Sequence, residues 1–243
     1  MRNDYQLAEM VKEAKRVVFF GGAGVSTESG IPDFRGAEGL YVRDNPIPPE
    51  TILSHTFFMR HPDLFYSFYR DKILAPDAKP NAAHTALAEL EKRGKVDCVV
   101  TQNIDGLHQK AGSKCVLELH GTTLKNHCLS CGKAYPLAYI LETAGVPLCG
   151  CGGVVRPDVV LYEEPLDEAV TREAVRRIQA ADLLIVGGTS LQVYPAAAYV
   201  RLCPGRLVIV NRDETPYDAH ADLVIRDRIG GVFKSLMEAL GGV

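Results

Sequence analysis

Apolar residues recur along the chain in two alternating rhythms. At Leu7, Met10, Val11 and Ala14 they fall at helical spacing, which predicts an amphipathic helix over residues 4–15. At Val17-Val18-Phe19-Phe20 they run unbroken, short, β-branched and aromatic, as in a strand buried on both faces. The alternation then repeats. Asn81 is a good N-cap for a helix Ala82–Arg93 that stops at Gly94, with His84 in its first turn as a structural residue. Val96–Thr101 and Val116–Leu119 read as strands, 166–180 as a helix, Leu183–Val186, Leu207–Val210 and Asp222–Ile225 as strands, and Val232–Leu240 as a closing helix. Residues 54–75 carry Phe57, Phe58, Phe65, Tyr66, Phe68 and Tyr69 and predict a helical pair packing its aromatics. Residues 37–53, with Pro46, Pro48 and Pro49, predict an irregular connection.

Polar and glycine clusters sit where the strands end: at 21–24, 102–105, 120, 187–190 and 211–213. In a parallel sheet these fall on one rim, the rim at which open α/β sheets bind ligands. The expected fold class is therefore α/β, with helices on both faces of a parallel sheet.

The stretch Phe20 to Gly36, FGGAGVSTESGIPDFRG, gives that rim its first chemistry. A strand, a glycine turn and the hydroxyls of Ser26, Thr27 and Ser29 can present backbone N–H groups to a phosphate. It is not the dehydrogenase fingerprint, which needs G-x-G-x-x-G running into a helix. Gly22 and Gly24 supply the first glycines, Thr27 stands in the third place, and Pro32 stops a helix soon after. A loop crossing over a nucleotide fits better. Asp44, at about the distance of a ribose-binding acid, lies in the proline-rich stretch and not at a strand end.

The 243 residues suffice for one large domain or one domain with a small insert. A net charge of −3 argues against strong nonspecific nucleic-acid binding, and no apolar run approaches a membrane span. The N-terminal segment has acids and no apolar core, so it does not read as a signal peptide and the expected compartment is the cytoplasm.

Four of the seven cysteines cluster in residues 122–157, a stretch with five glycines that reads as a small inserted module. Cys128-x2-Cys131-Gly132 has the zinc-knuckle form, and Cys149-x-Cys151 follows after 17 residues. Four thiolates suit one tetrahedral zinc with no open position, hence a structural ion. The second pair is one residue tighter than usual, and His127 is a conceivable substitute ligand. Cys98, Cys115 and Cys203 lie alone in or near apolar segments and read as packing residues.

GAGVSTESGIPDFRG, TQNIDGLH, ELHG, the paired cysteines, GTSLQVYPAA and VNRDETPYD, in that order from residue 17 to about 230, together resemble the sirtuins, NAD-dependent protein-lysine deacylases. The resemblance implies a Rossmann-like domain (1–121 and 158–243) and a small zinc-binding domain (122–157, with part of the region 37–80). NAD and an acyl-lysine peptide would meet between them, with nicotinamide and O-acyl-ADP-ribose released. By motif, His120 is the general base and Asn103 positions the attacking or leaving groups. Ala23, Gly24 and Thr27 would wrap the pyrophosphate and nearby ribose, and Phe34 and Arg35 would cover the cofactor. Gln102, Asn103, Ile104 and Asp105 would line the nicotinamide pocket. Thr189 and Ser190 would bind phosphate, and Asn211 the adenosine ribose. Segments 159–164 and 188–193 look like two strands that sandwich the substrate peptide. A monomer without membrane or nucleic-acid partners is expected. A mono-ADP-ribosyltransferase using the same NAD cleavage is the alternative reading, and a zinc-stapled interaction module without catalysis a more distant one.

The sequence departs from the family pattern in places. Gly21 replaces a frequent threonine, the second cysteine pair is C-x-C, and Glu163 stands where many relatives have glycine. Glu163, Glu164, Asp167 and Glu168 are candidates to favour basic flanks in a substrate. Relatives that prefer acidic acyl groups place a tyrosine and, three residues on, an arginine in the acyl pocket. Here Tyr69 follows Tyr66 at that spacing and Arg70 is one residue further, about 100° around a helix. That predicts an apolar acyl pocket.

Overall fold

The computed structural model describes residues 3–34, 39–40 and 46–241. Its frame is a six-stranded parallel sheet in the order β3-β2-β1-β7-β8-β9. The strands are β1 (Val17–Gly21), β2 (Val96–Thr101), β3 (Val116–Glu118), β7 (Leu183–Gly187), β8 (Arg206–Val210) and β9 (Leu223–Ile225). The chain builds outward from β1 on one side and returns through β7 on the other, the strand order of doubly wound dinucleotide-binding sheets. β1 and β7 are buried at every position, which explains their unbroken apolar runs.

Each face has its own core. On one, α1 (Asn3–Glu13), α5 (Ala82–Lys92) and α9 (Ile229–Ala239) pack Leu7, Val11, Leu87 and Phe233 against Phe19 and Val99. On the other, α8 (Glu168–Gln179) and the 3-10 segment Ala196–Leu202 pack Ile178 and Val200 against Phe20 and Val186. Asn81 caps α5 as expected: its side chain accepts from Ala83 N at 3.0 Å, worth about 1 kcal/mol. Its amide also donates to Val25 O (2.8 Å) and Ser29 Oγ (3.0 Å), so the cap anchors the glycine loop as well. A short helix, α6 (Leu107–Ala111), follows β2; the sequence reading had no helix there.

A second, antiparallel sheet, β5-β4-β6, comprises β4 (Gly121–Cys128), β5 (Ala134–Pro136) and β6 (Val155–Val159), with α7 (Leu137–Glu142) beside it. It reaches slightly beyond residues 122–157 at both ends. The aromatic segment folds as α3 (His55–Arg60), α4 (Pro62–Phe68) and a π-turn over Tyr69–Ile73, in which Leu74 N donates to Tyr69 O. Phe58, Phe65, Tyr66 and Tyr69 share one core with Cys128, Ile140, Cys149 and Val155, so these helices and the small sheet bury each other. Of the stretch 37–53, Pro49–Ile52 form a short helix, α2, and residues 35–38 and 41–45 lie outside the described residues.

Candidate active site

The strand order puts a crevice where the chain reverses direction across the sheet, between the carboxyl ends of β1 and β7. There a cleft of about 1240 Å³ opens, larger than a drug-sized pocket needs and roomy enough for a dinucleotide and a second ligand. Ala23, Gly24, Thr27, Phe34, Gln102, Asn103, Ile104, Asp105, His120, Thr189, Ser190 and Asn211 all line it. Arg35 lies outside the described residues.

The loop after β1 turns through two 3-10 turns, Ala23–Val25 and Thr27–Ser29, and not into a helix. It can do so because Gly24 N donates to Gly188 O at 2.8 Å, and a Cβ on Gly24 would stand 2.8 Å from Gly188 Cα. The two glycine turns therefore interlock across the switch point. Thr27 Oγ1 donates to Gly24 O (3.0 Å), holding the turn. Glu28 accepts from Gly230 N at 2.7 Å, tying the loop to the first turn of α9, where a carboxylate is favoured.

Three side chains below the loop form a chain of hydrogen bonds. Ser26 Oγ donates to Asp105 Oδ2 at 2.6 Å and accepts from Asn103 Nδ2 at 3.0 Å. Asp105 Oδ1 also accepts from Leu107 N (2.9 Å) at the start of α6. Gln102 Nε2 donates to Thr189 Oγ1 at 3.1 Å, joining the ends of β2 and β7 across β1. Asn211 Nδ2 donates to Asp213 O at 2.9 Å.

His120 follows β3 and is half-buried, with Nδ1 2.9 Å from the carbonyl of Gln102. That oxygen only accepts, so Nδ1 carries the proton and Nε2 keeps a free lone pair. Burial lowers its pKa below the ordinary histidine value, and the Gln102 carbonyl opposes that shift. Elsewhere, His84 in α5 and His108 in α6 lie with ring centroids 4.7 Å apart. Burial pushes them down to about 4 and about 3 respectively, so neither is charged near neutral pH.

The four cysteines Cys128, Cys131, Cys149 and Cys151 converge, every sulfur within 4.8 Å of the others. The Cys128–Cys151 and Cys131–Cys149 sulfurs are 3.6 Å apart, close to the ~3.8 Å that tetrahedral Zn–S bonds impose. The tight C-x-C pair thus reaches the same geometry. His127 is not part of it: its ring pairs with Asp158 instead. None of the four cysteines lines the cleft, so an ion there would hold the module and take no part in its chemistry.

The structure also bears on the remaining expectations. The acidic stretch is occupied internally: Glu163 Oε2 accepts from Thr56 N (2.9 Å) at the start of α3, and Asp167 Oδ1 from Val170 N (2.8 Å) at the start of α8. Glu164 accepts from His55 Nδ1 (2.7 Å) and Leu161 N (2.9 Å) and pairs with Arg156. Glu163 holds φ +76, the left-handed backbone that glycine adopts without cost. Segments 159–164 and 188–193 are not strands throughout. β6 ends at Val159, and the positive φ of Glu163, Gly188 and Leu191 breaks the extension. Arg70 turns away from the cleft: Nε donates to Ile140 O (2.9 Å) and its guanidinium covers the Tyr66 ring at 5.1 Å. Near Tyr69 the cleft wall is Leu53, Ile73, Ile104, Val159 and Leu161. The sequence reading missed Ser26 as the link between Asn103 and Asp105. It also missed Asp227–Ile229, which line the cleft where α9 begins.

A Rossmann-order sheet, a dinucleotide-sized cleft at its switch point and a four-cysteine cluster able to hold a metal ion beside it define a nucleotide-dependent enzyme. Residues 22–195 match the model of the Sir2 family, and the chain belongs to that family. It is 55% identical over 238 residues to an NAD-dependent protein deacetylase of Cutibacterium acnes, covering 97% of this chain and 98% of that one. It is 54% identical over 237 residues to one of Clostridium acetobutylicum, covering 96% and 97%. Among solved structures, a Sir2 with p53 peptide and NAD+ superposes with a TM-score of 0.87 at 41% identity, covering 96% of both chains. A Sir2 with deacetylated p53 peptide and 3'-O-acetyl-ADP-ribose gives 0.91, also at 41% identity, covering 98% of both.

Proposed function

We infer that the chain is an NAD-dependent protein-lysine deacetylase that releases nicotinamide and O-acetyl-ADP-ribose. The observation that supports this most is the pairing of His120 Nδ1 with the Gln102 carbonyl, which leaves Nε2 as a base in the same cleft as the Asn103–Ser26–Asp105 chain.

Bound NAD supplies a labile nicotinamide–ribose bond and the ribose that receives the acetyl group. Ala23, Gly24 and Thr27 hold the pyrophosphate side, Thr189 and Ser190 the phosphates, and Asn211 the adenosine ribose. Phe34 covers the cofactor, and Arg35 beside it in sequence is assigned to the same role. Gln102, Ile104 and Asp105 shape the nicotinamide pocket, and Asn103, fixed by Ser26, orients the reacting groups through its carbonyl oxygen. His120 Nε2 takes a proton from a ribose hydroxyl; as an imidazole depressed by burial it is free to do so at neutral pH. Cys128, Cys131, Cys149 and Cys151 hold one zinc, as the sulfur spacing fits. The peptide lies extended between residues 159–161 and 192–193, gaining affinity from main-chain bonds and little sequence preference. The acyl group enters the apolar wall near Tyr69, from which the Arg70 guanidinium is turned away.

Mass spectrometry of acetyl-lysine and succinyl-lysine peptides, incubated with and without NAD, tests the reading. NAD-dependent loss of acetyl, with acetyl-ADP-ribose formed and succinyl removed more slowly, is expected. ADP-ribose appearing on protein instead would favour the transferase reading, and faster desuccinylation would overturn the acyl pocket.

A further inference from the structure

Outside the cleft and the four-cysteine cluster, two thiols that the sequence reading treats as packing residues face each other. Cys98 lies in β2 and Cys115 just ahead of β3, with their sulfurs 2.8 Å apart. Val99 pairs with Val116 across these parallel strands, and Val99 N donates to Cys115 O at 2.9 Å. The two cysteines are therefore direct cross-strand neighbours, at the ~4.8 Å backbone spacing that falls within the range of disulfides. We propose that Cys98 and Cys115 form a reversible intramolecular disulfide that closes the base of the loop carrying Gln102, Asn103 and Asp105.

The surroundings suit such a bond. Cys115 is half-buried and so meets solutes first, whereas Cys98 is buried. The remaining thiol outside the metal cluster, Cys203, is engaged with Ala181 O at 3.6 Å. Beside β2, Arg177 is held by Asp97 (2.8 Å) and Glu173 (2.7 Å), so this edge of the sheet is braced by ion pairs. Burial and the contact with Cys115 raise the Cys98 thiol well above the ordinary cysteine value, which keeps Cys98 protonated as the second, resolving thiol. The backbone is braced too, since Glu91 accepts from Lys114 N (2.8 Å) and Cys115 N (2.7 Å).

The oxidant is a hydroperoxide. The Cys115 thiol gives up its proton and its sulfur attacks the terminal peroxide oxygen; the O–O bond breaks, the sulfur becomes a sulfenic acid, and the other oxygen leaves with that proton as water or an alcohol. Cys98 sulfur then attacks the Cys115 sulfur; the S–S bond forms and the S–O bond breaks. The departing hydroxide takes the Cys98 proton and leaves as water. Two thiols are oxidised and one peroxide is reduced. A small dithiol reverses the bond by exchange. Closing the sulfurs from 2.8 Å to about 2.05 Å asks little of the strands. The bond staples residues 17 apart, so the loop between keeps its shape and Cys115 is protected from over-oxidation.

The test uses the zinc-loaded full chain. It is treated briefly with hydrogen peroxide, its free thiols are alkylated, and the digest is read by mass spectrometry, with zinc release followed in parallel. The expected product is a Cys98–Cys115 cross-linked peptide, formed before zinc leaves and cleaved by dithiothreitol. The melting temperature should rise on the order of 5 °C and fall back on reduction. In Cys115→Ser, Cys98 should resist alkylation until the protein is unfolded. The proposal is overturned by sulfinic acid on Cys115 with Cys98 free. It is equally overturned by a cross-link that needs denaturant, by zinc loss before any cross-link, or by a lower melting temperature in the cross-linked form.

Discussion

Asn103 donates its side-chain amide to Ser26 at 3.0 Å, and Ser26 has no proton to return, because its hydroxyl is committed to Asp105 at 2.6 Å. The direction of the bond is thereby fixed, and with it the orientation of the Asn103 amide. The amide nitrogen faces the protein, which leaves the carbonyl oxygen for a ligand. Ser26 is buried, so the arrangement is shielded from competing water.

Ser26→Ala removes the acceptor and leaves both Asn103 and Asp105 short of a partner. The expected loss in kcat/KM for deacetylation is about 10- to 100-fold, with a stability loss of about 1–3 kcal/mol. Steady-state kinetics and urea unfolding check both. Unchanged kinetics would mean that the orientation of Asn103 does not matter.

The acid limb of activity should report His120. Burial lowers its pKa from the ordinary histidine value, so the neutral base persists as the pH falls below about 6.5. The kcat/KM profile for peptide is expected to lose activity with a midpoint below about 6.5. A midpoint at or above about 7 would contradict the assignment.

Stability should depend on pH through a different pair. His84 and His108 have folded pKa values of about 4 and about 3, both depressed by burial from 6.5. Between those limits the unfolded chain binds protons that the folded one does not, so their contribution is present above about 6.5 and is lost as the pH falls toward their folded values. Replacing His108 with Gln removes one such group. From about pH 7 to about pH 5 the wild type should lose about 2 kcal/mol more than the variant, by urea unfolding at both values. Parallel losses would show that His108 is not held neutral.

The sheet was legible because its strands are short continuous apolar runs, such as Val17–Phe20, that end abruptly in glycine or polar residues. Strand order was not legible, since β1 looks alike whether β2 or β7 lies beside it; only the reversal at β1 makes the crevice. Of the candidate site, the polar strand ends pointed to the right rim. Ser26 was passed over as one of several small hydroxyls, because its role depends on Asp105, 79 residues away. The acidic run 163–168 was open to two readings for a similar reason. A carboxylate on the surface and one capping a helix look identical until Thr56 N and Val170 N are placed.

Removing the metal tests the module. β6 leads from the four-cysteine cluster into the segment that lines the cleft at Val160–Glu164. Stripping zinc with a chelator, or Cys151→Ser, should lower the melting temperature by more than about 10 °C. Deacetylation should disappear with it, and one zinc per chain should be found in the intact protein. An unchanged melting curve after complete metal removal would contradict a structural zinc.

The most direct measurement compares His120→Ala with wild type in two reactions: deacetylation of an acetyl-lysine peptide, and exchange of labelled nicotinamide into NAD in the presence of that peptide. If His120 acts as base after nicotinamide has left, the variant loses deacetylation by more than about 100-fold, while exchange persists at a measurable rate. Deacetylation surviving in His120→Ala would contradict the central assignment, because the base would then lie elsewhere in the cleft.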